Sequence, residues 1–154
     1  MSFTGKTDSY LNSTLENNGF FPDLSLGDLQ RLYRIPAEYS KEKVEHHLRL
    51  AMLDTNDDLA ERQAAWQAEG HNTLAEVSDE RLGGKPVLVE HYQRAVFCRA
   101  TANLFGEFAT VTRREIGENQ AKEGEGIAKM YRAQADRALR YLLGRKTTIT
   151  AELI

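Results

Sequence analysis

Pro86–Arg113, PVLVEHYQRAVFCRATANLFGEFATVTR, decides the fold. Val89, Tyr92, Val96, Ala100, Asn103 with Leu104, Phe108 and Val111 follow one another at three- or four-residue steps, the period of one helix face. A second apolar set, Leu88, Ala95, Phe97, Cys98, Ala102 and Phe105, lies off that line. The spacing therefore predicts a central helix covered on two sides by partners. Pro86 suits the first helical turn, where its missing N–H costs nothing, and Gly83-Gly84 before it supplies a flexible break.

Upstream, Ser40 is placed to cap a second main helix whose face reads Val44, Leu48, Ala51 with Met52, Thr55, Leu59, Gln63 and Trp66, with Gly70 as its stop. Its outward residues include Asp54, Asp57, Asp58 and Glu61, and from Asp54 to Glu80 eight acids face the single base Arg62, so one surface is expected to be negative. A turn at His71-Asn72 and a brief helical piece, Thr73 to Val77, connect this helix to the glycine pair. Nearer the start, Ser25 with Asp28 three residues on marks a short helix with Leu26, Leu29, Leu32 and Tyr33 as its buried face. Ile35-Pro36 ends it, because proline disfavours a helical predecessor. Phe20 and Phe21 are expected to pin its start to the core. Met1 to Gly19 is rich in Ser, Thr, Asn and Asp with isolated apolar residues, too few to bury a face, and reads as a mobile arm.

Downstream, Ile116 to Gln120 is polar, and Gly124 and Gly126 each weaken helicity by about 1 kcal/mol. A firm pattern resumes at Ile127: Ile127, Met130 with Tyr131, Gln134, Ala138, and Tyr141 with Leu142 line one face, and Gly144 stands where a C-cap glycine belongs. The polar face carries Lys129, Arg132, Arg137 and Arg140, followed by Arg145 and Lys146, against Asp136 alone. The last segment, Thr147, Thr148, Ile149, Thr150, Ala151, Glu152, Leu153 and Ile154, alternates β-branched and apolar residues at strand period and is the only convincing strand. A single strand must fray, fold back on the helices, or add to another chain's sheet. The expected fold is all-α: a small bundle of three main helices plus short ones (20–144), a mobile N-terminal arm (1–19) and an extended C-terminal arm (145–154).

With 154 residues the chain reads as one domain, able to bury roughly 70% of its unfolded surface. A net charge of −3 does not demand a polyanionic partner such as nucleic acid. The lone Cys98 forms no internal disulfide and fits a reducing compartment, where it acts as a small buried hydrophobe. No run approaches the ~18 apolar residues of a membrane span, and the first residues lack a signal-peptide layout, so a soluble, intracellularly made protein is expected.

Catalytic patterns do not emerge. His46 and His47 are adjacent, point about 100° apart on a helix, and cannot grip one ion from one face. His71 and His91 lack a second histidine at helical spacing, and the Glu-x-x-His pairs of carboxylate di-iron bundles do not occur. Gly83-Gly84-Lys85 misses the phosphate-loop spacing, and G-x-S-x-G is missing. No cofactor, metal or enzymatic activity is indicated, and there are neither repeats nor a long heptad seam.

The order of motifs nevertheless resembles one family. Phe21-Pro22-Asp23-Leu24, the helix through Asn56, Leu59 and Trp66, the turn Gly70-His71-Asn72-Thr73-Leu74-Ala75, Tyr92-Gln93-Arg94-Ala95-Val96-Phe97-Cys98, Gln134-Ala135-Asp136 and Gly144-Arg145-Lys146-Thr147-Thr148 together resemble the head completion (GpL-type) proteins of Peduovirus-like contractile-tailed phages. The likeness covers Phe20 to Ile154. It implies a virion structural protein at the neck, the portal vertex, assembled in the host cytoplasm. Such a protein would act after genome packaging as a homo-oligomeric ring of about twelve copies under the portal protein. The ring would hold DNA in the filled head and present a platform to the tail terminator or another tail-side neck protein, with no membrane partner. Within that reading, Asp54, Asp57, Asp58 and Glu61 could meet the basic residues from Lys129 to Lys146 on the next copy, and Thr147–Ile154 could dock as a strand on the portal or a neighbour. The basic residues could instead face packaged DNA in the channel. A helical DNA-packaging accessory protein, small-terminase-like and DNA-binding, is the alternative from another class, followed by an enzyme with an unfamiliar helical site.

Overall fold

The computed structural model describes residues 13–145 except 116 and 117. Five α-helices carry the fold among the described residues: α1 (Leu26–Tyr33), α2 (Lys41–Asp58), α3 (Ala60–Ala68), α4 (Val87–Glu115) and α5 (Glu118–Leu142). A 3-10 turn at Leu74–Glu76 and two antiparallel ladders complete it: β1 (Thr14–Leu15) with β2 (Leu24–Ser25), and β3 (Arg81–Leu82) with β4 (Lys85–Pro86). The chain is thus mostly helical, as its periodicity indicates, with α2, α4 and α5 as the main helices. The small ladders were not legible beforehand, and the strand expected over Thr147–Ile154 lies outside the described residues.

The central helix is α4, with α2 packed on one side and α5 on the other. Tyr92, Val96, Ala100 and Leu104 are buried along the first seam, and Ala95, Phe97, Cys98 and Ala102 along the second. Phe108 is 43% exposed, so the first seam runs out before the helix does, and Val111 lies outside the residues whose side chains are described. Pro86 is not in the helix but in β4, one residue before it. Gly83 and Gly84 adopt φ of 58° and 80°, the left-handed pair that a two-residue hairpin turn requires. They form a tight turn rather than a flexible break, and Val87 N–H closes the hairpin base on Glu80 O at 3.1 Å.

Ser40 caps α2 through its Oγ, which accepts from Lys43 N–H at 3.2 Å. The single long helix expected to Gly70 is broken at Leu59, whose ψ of 4° leaves the helical range. The break follows Thr55-Asn56-Asp57-Asp58, residues whose short polar side chains compete with the helical ladder. Leu59 itself is fully buried at the bend, and Trp66 of α3 stacks on Phe20 with ring centroids 6.1 Å apart. Ser25 caps α1 as its position suggested, but only Leu26 and Leu29 of the expected buried face are enclosed; Leu32 is 58% exposed.

Residues 13–19 do not belong to a loose arm. β1 pairs with β2, and Asn18 Oδ1 accepts from the backbone N–H groups of Phe20 and Phe21 at 3.0 and 3.1 Å. Asn17 joins a closed ring of three hydrogen bonds. Its Nδ2 donates to the Tyr92 hydroxyl (2.8 Å), Tyr92 O–H donates to Asn56 Oδ1 (2.6 Å), and Asn56 Nδ2 donates to Asn17 Oδ1 (2.9 Å). Polar composition signalled an arm, yet these side chains secure the segment by hydrogen bonding backbone and buried partners. Residues 1–12 of the expected arm lie outside the described residues. Replacing Tyr92 with Phe keeps its stacking on Phe21 (4.7 Å) but strands Asn56 Oδ1. A loss of about 1–3 kcal/mol in denaturant-determined stability is expected.

The last helix begins at Glu118 rather than near Ile127, so Gly124 and Gly126 lie inside it. Its buried face is Ala128, Ala135, Ala138 and Leu142, whereas Ile127, Met130 and Tyr141, expected inside, are 39%, 47% and 45% exposed. The shift has a steric cause. α4 and α5 approach through small residues, and a Cβ at Gly124 would sit 3.0 Å from Ala109 Cβ, while one at Gly126 would meet nothing within 4 Å. Gly126→Ala should therefore raise stability by about 0.5–1 kcal/mol, and Gly124→Ala should lose that gain to overpacking, a pair distinguishable by thermal melting. α5 stops at Gly144 (φ 70°), where Arg145 N–H bonds Arg140 O at 2.9 Å and Gly144 N–H bonds Tyr141 O at 3.0 Å.

Candidate functional site

Cys98 and His47 are spent on structure. Cys98 is buried with the Tyr33 hydroxyl 3.6 Å from its Sγ, and burial pushes its thiol up. His46 is exposed on α2, whereas His47 turns inward to α4 with Nε2 2.6 Å from Glu107 Oε2. Lys43 Nζ stands 2.9 Å from the other oxygen of Glu107. Hydrogen bonds from Lys43 and then His47 hold that carboxyl below its usual range, and the cluster clasps α2 to α4. Among the described residues no group of three or more His, Cys, Asp or Glu side chains is placed to hold a metal ion. No helix among them is long and apolar enough to cross a membrane. What the molecule presents is surface, of two kinds.

The first is a charged groove running over α4 between α2–α3 and α5. Arg99 of α4 forms its floor, donating to Thr55 Oγ1 at 3.1 Å and Asp58 Oδ2 at 2.9 Å. Asp58, Glu61 and Arg62 line one wall, and Asp136, Leu139, Leu143 and Arg145 the other. Farther along, Asp54 faces Arg132 across Arg99 and Asn103. Arg62 spans the groove, donating through Nε to Leu142 O at 3.3 Å while its guanidinium lies 4.9 Å from the centre of the Trp66 ring.

This geometry sorts the charges that sequence grouped by sign. Asp58 and Glu61 of the acidic set share a groove with Arg145 of the basic set, and Asp54 shares an adjoining hollow with Arg132. Asp57 on α2, and Lys129, Arg137 and Arg140 on α5, are exposed. Lys146 and the arm Thr147–Ile154 lie outside the described residues.

The second surface is apolar. Leu82 at the hairpin is 78% exposed and Leu32 of α1 58%. With Tyr33, Val87, His91 and Arg94 they line a groove at the start of α4. Tyr141 of α5 stacks on His91 at 3.8 Å, and burial together with the nearby Arg94 guanidinium pushes that imidazole down. Farther along α5, Met130 and Ile127 are also exposed. Sequence reasoning noticed these three α5 residues but assigned them to the core, because periodicity shows that a face is apolar without showing which neighbour covers it. Leu82 gave no such signal, because Gly83-Gly84 read as a flexible break and not as the turn of a hairpin.

Comparison with known proteins adds a sequence-wide result. Residues 15–154 match the family described as phage head completion protein (GPL). The chain is 32% identical over 144 residues, 94% of its length and 95% of the relative's, to the probable head completion/stabilization protein of Haemophilus phage HP1 (strain HP1c1). It is 27% identical over 107 residues, 70% of its length and 63% of the relative's, to the head completion/stabilization protein of Escherichia phage P2. No solved structure matches it.

Proposed function

The chain belongs to the phage head completion protein (GPL) family, a structural component of the virion head, and from that premise we propose that it is a non-catalytic head-to-tail adaptor. Copies bind the portal protein as a ring once DNA is packaged, stabilise the filled head and offer the platform on which a tail-side neck protein seats. The observation that carries this reading is the family match along residues 15–154, which takes in both the helical body and the segment Thr147–Ile154. Two physical features support it. The body devotes Cys98 and His47 to packing and leaves large apolar residues exposed on α1, α2, α5 and the β3–β4 hairpin, as an assembly subunit would. The alternation of Thr148, Thr150 and Glu152 with Ile149, Ala151 and Leu153 suits strand addition to a partner's sheet edge, where backbone bonds supply affinity and side chains supply register.

Imaging the neck of purified virions tests the proposal. A ring of this chain beneath the portal is expected. Its absence from the particle, with the protein found on DNA or on terminase instead, would overturn the adaptor reading and favour a packaging accessory.

A further inference from the structure

Two helices carry stripes that the bundle leaves largely exposed, although on α5 Gln134 is half-buried beside Cys98 and Tyr141 stacks on His91. On α5, Ile127, Met130, Gln134, Arg137 and Tyr141 follow at steps of three and four residues along one face, beside the buried face Ala128, Ala135, Ala138 and Leu142. On α2, His46, Leu50, Leu53 and Asp57 follow at steps of four, three and four, turned away from the buried Val44, Leu48, Ala51 and Thr55. Leu50 and Leu53 are 37% and 55% exposed. Matched three-and-four spacing lets two helices pack side by side at a shallow angle.

Charge selects how they pair. Arg137 lies within the α5 stripe and Arg140 beside it, whereas Asp57 closes the α2 stripe, and all three are exposed. Asp58, held by Arg99, is already used inside the chain. A parallel contact of α5 with α5 would oppose Arg137 to Arg137, and a parallel one of α2 with α2 would oppose Asp57 to Asp57. The complementary arrangement joins α5 of one copy to α2 of another.

We propose that this α5 stripe packs against the Leu50–Leu53 stripe of α2 on the next copy, with Arg137 toward Asp57, and that repetition of this head-to-tail contact closes the ring. The inference rests on the adaptor reading and names its subunit interface. Because donor and acceptor faces differ, each copy keeps one of each for its two neighbours.

Cross-linking in purified phage particles tests it. Particles carrying Leu53→Cys and Met130→Cys in the same chain, treated with a short bis-maleimide, should give a ladder of covalent oligomers on a denaturing gel. Either substitution alone, and the unsubstituted protein with its buried Cys98, should stay monomeric. Leu50→Cys with Ile127→Cys provides a second pair should the first impair folding, which a thermal melt of the purified variant reads. Adding Arg137→Glu should cut the ladder about tenfold or more, since it sets like charges against each other across the interface, and adding Asp57→Arg should restore it. A single variant that cross-links to itself would overturn the head-to-tail pairing. So would protein present at the neck with no ladder from either pair, although the adaptor reading would survive. Protein missing from the particle would overturn both.

Discussion

Deleting Thr147–Ile154 should leave the melting temperature of the helical body unchanged and reduce binding to portal by two orders of magnitude or more. The two halves of this expectation have separate grounds. Stability is expected to be retained because, among the described residues, the core runs from Phe20 to Leu142 and α5 is closed at Gly144, before the deleted segment begins. Binding is lost because the segment has the alternation of a strand, and a strand gains its hydrogen bonds only from another edge. If Ile149 and Leu153 are buried in the complex, each is worth about 1.5–3 kcal/mol, and together with the backbone bonds that amounts to a factor of a hundred or more in affinity. Sedimentation of the shortened protein with purified portal, beside a calorimetric melt, reads both quantities. Undiminished binding would remove the arm from the docking scheme and leave the helical faces as the attachment surface.

The largest loss of stability is expected from Phe97→Ala. Phe97 is fully buried on α4, and the Tyr33 ring meets it edge-on, with centroids 5.7 Å apart and planes at 79°. Its removal opens a void at the junction of α1 and α4, a site with little freedom to collapse because α2 and α5 hold α4 on both sides. Truncations of this kind cost about 3–5 kcal/mol. At roughly 2–4 °C per kcal/mol for a chain of this length, the melting temperature should fall by about 10 °C. Phe97→Leu, which refills most of the space, should recover much of the loss. A fall of only a degree or two would mean that the α1–α4 junction is loosely packed.

How much of this was legible depended on which force placed each residue. Ser25 and Ser40 were readable because a cap is a local transaction between a side chain and the next turn. The two-sided burial of α4 was readable because apolar residues encircle much of it. Ile127, Met130 and Tyr141 were misplaced because the rotation of α5 is set by how closely its glycine and alanines approach Ala109 and Gly106, a tertiary fact that no period reveals. Asn17 was misjudged for a related reason. Its partners Asn56 and Tyr92 are distant in sequence, so its polarity read as solvation when it was satisfaction. The charge groups were legible as groups, but Arg99, which reaches Asp58 from the central helix, was not recognised as the residue that divides them.

The adjacency of α4 and α5 in the chain also bears on the order in which the molecule is built. Their contact is the most extensive in the structure, yet the helices are consecutive, so it closes with little loop entropy. The Asn17–Tyr92 bond spans 75 residues and gains nothing until α2 and α4 are already side by side. A refolding chain should therefore form its carboxy-terminal helical hairpin early and fasten its amino-terminal segment late. During synthesis the order of emergence runs the other way: residues 13–25 leave the ribosome before α4 and wait for the helix that completes their hydrogen bonds. The amino-terminal clasp thus acts as a latch on a finished subunit rather than as a seed for its folding.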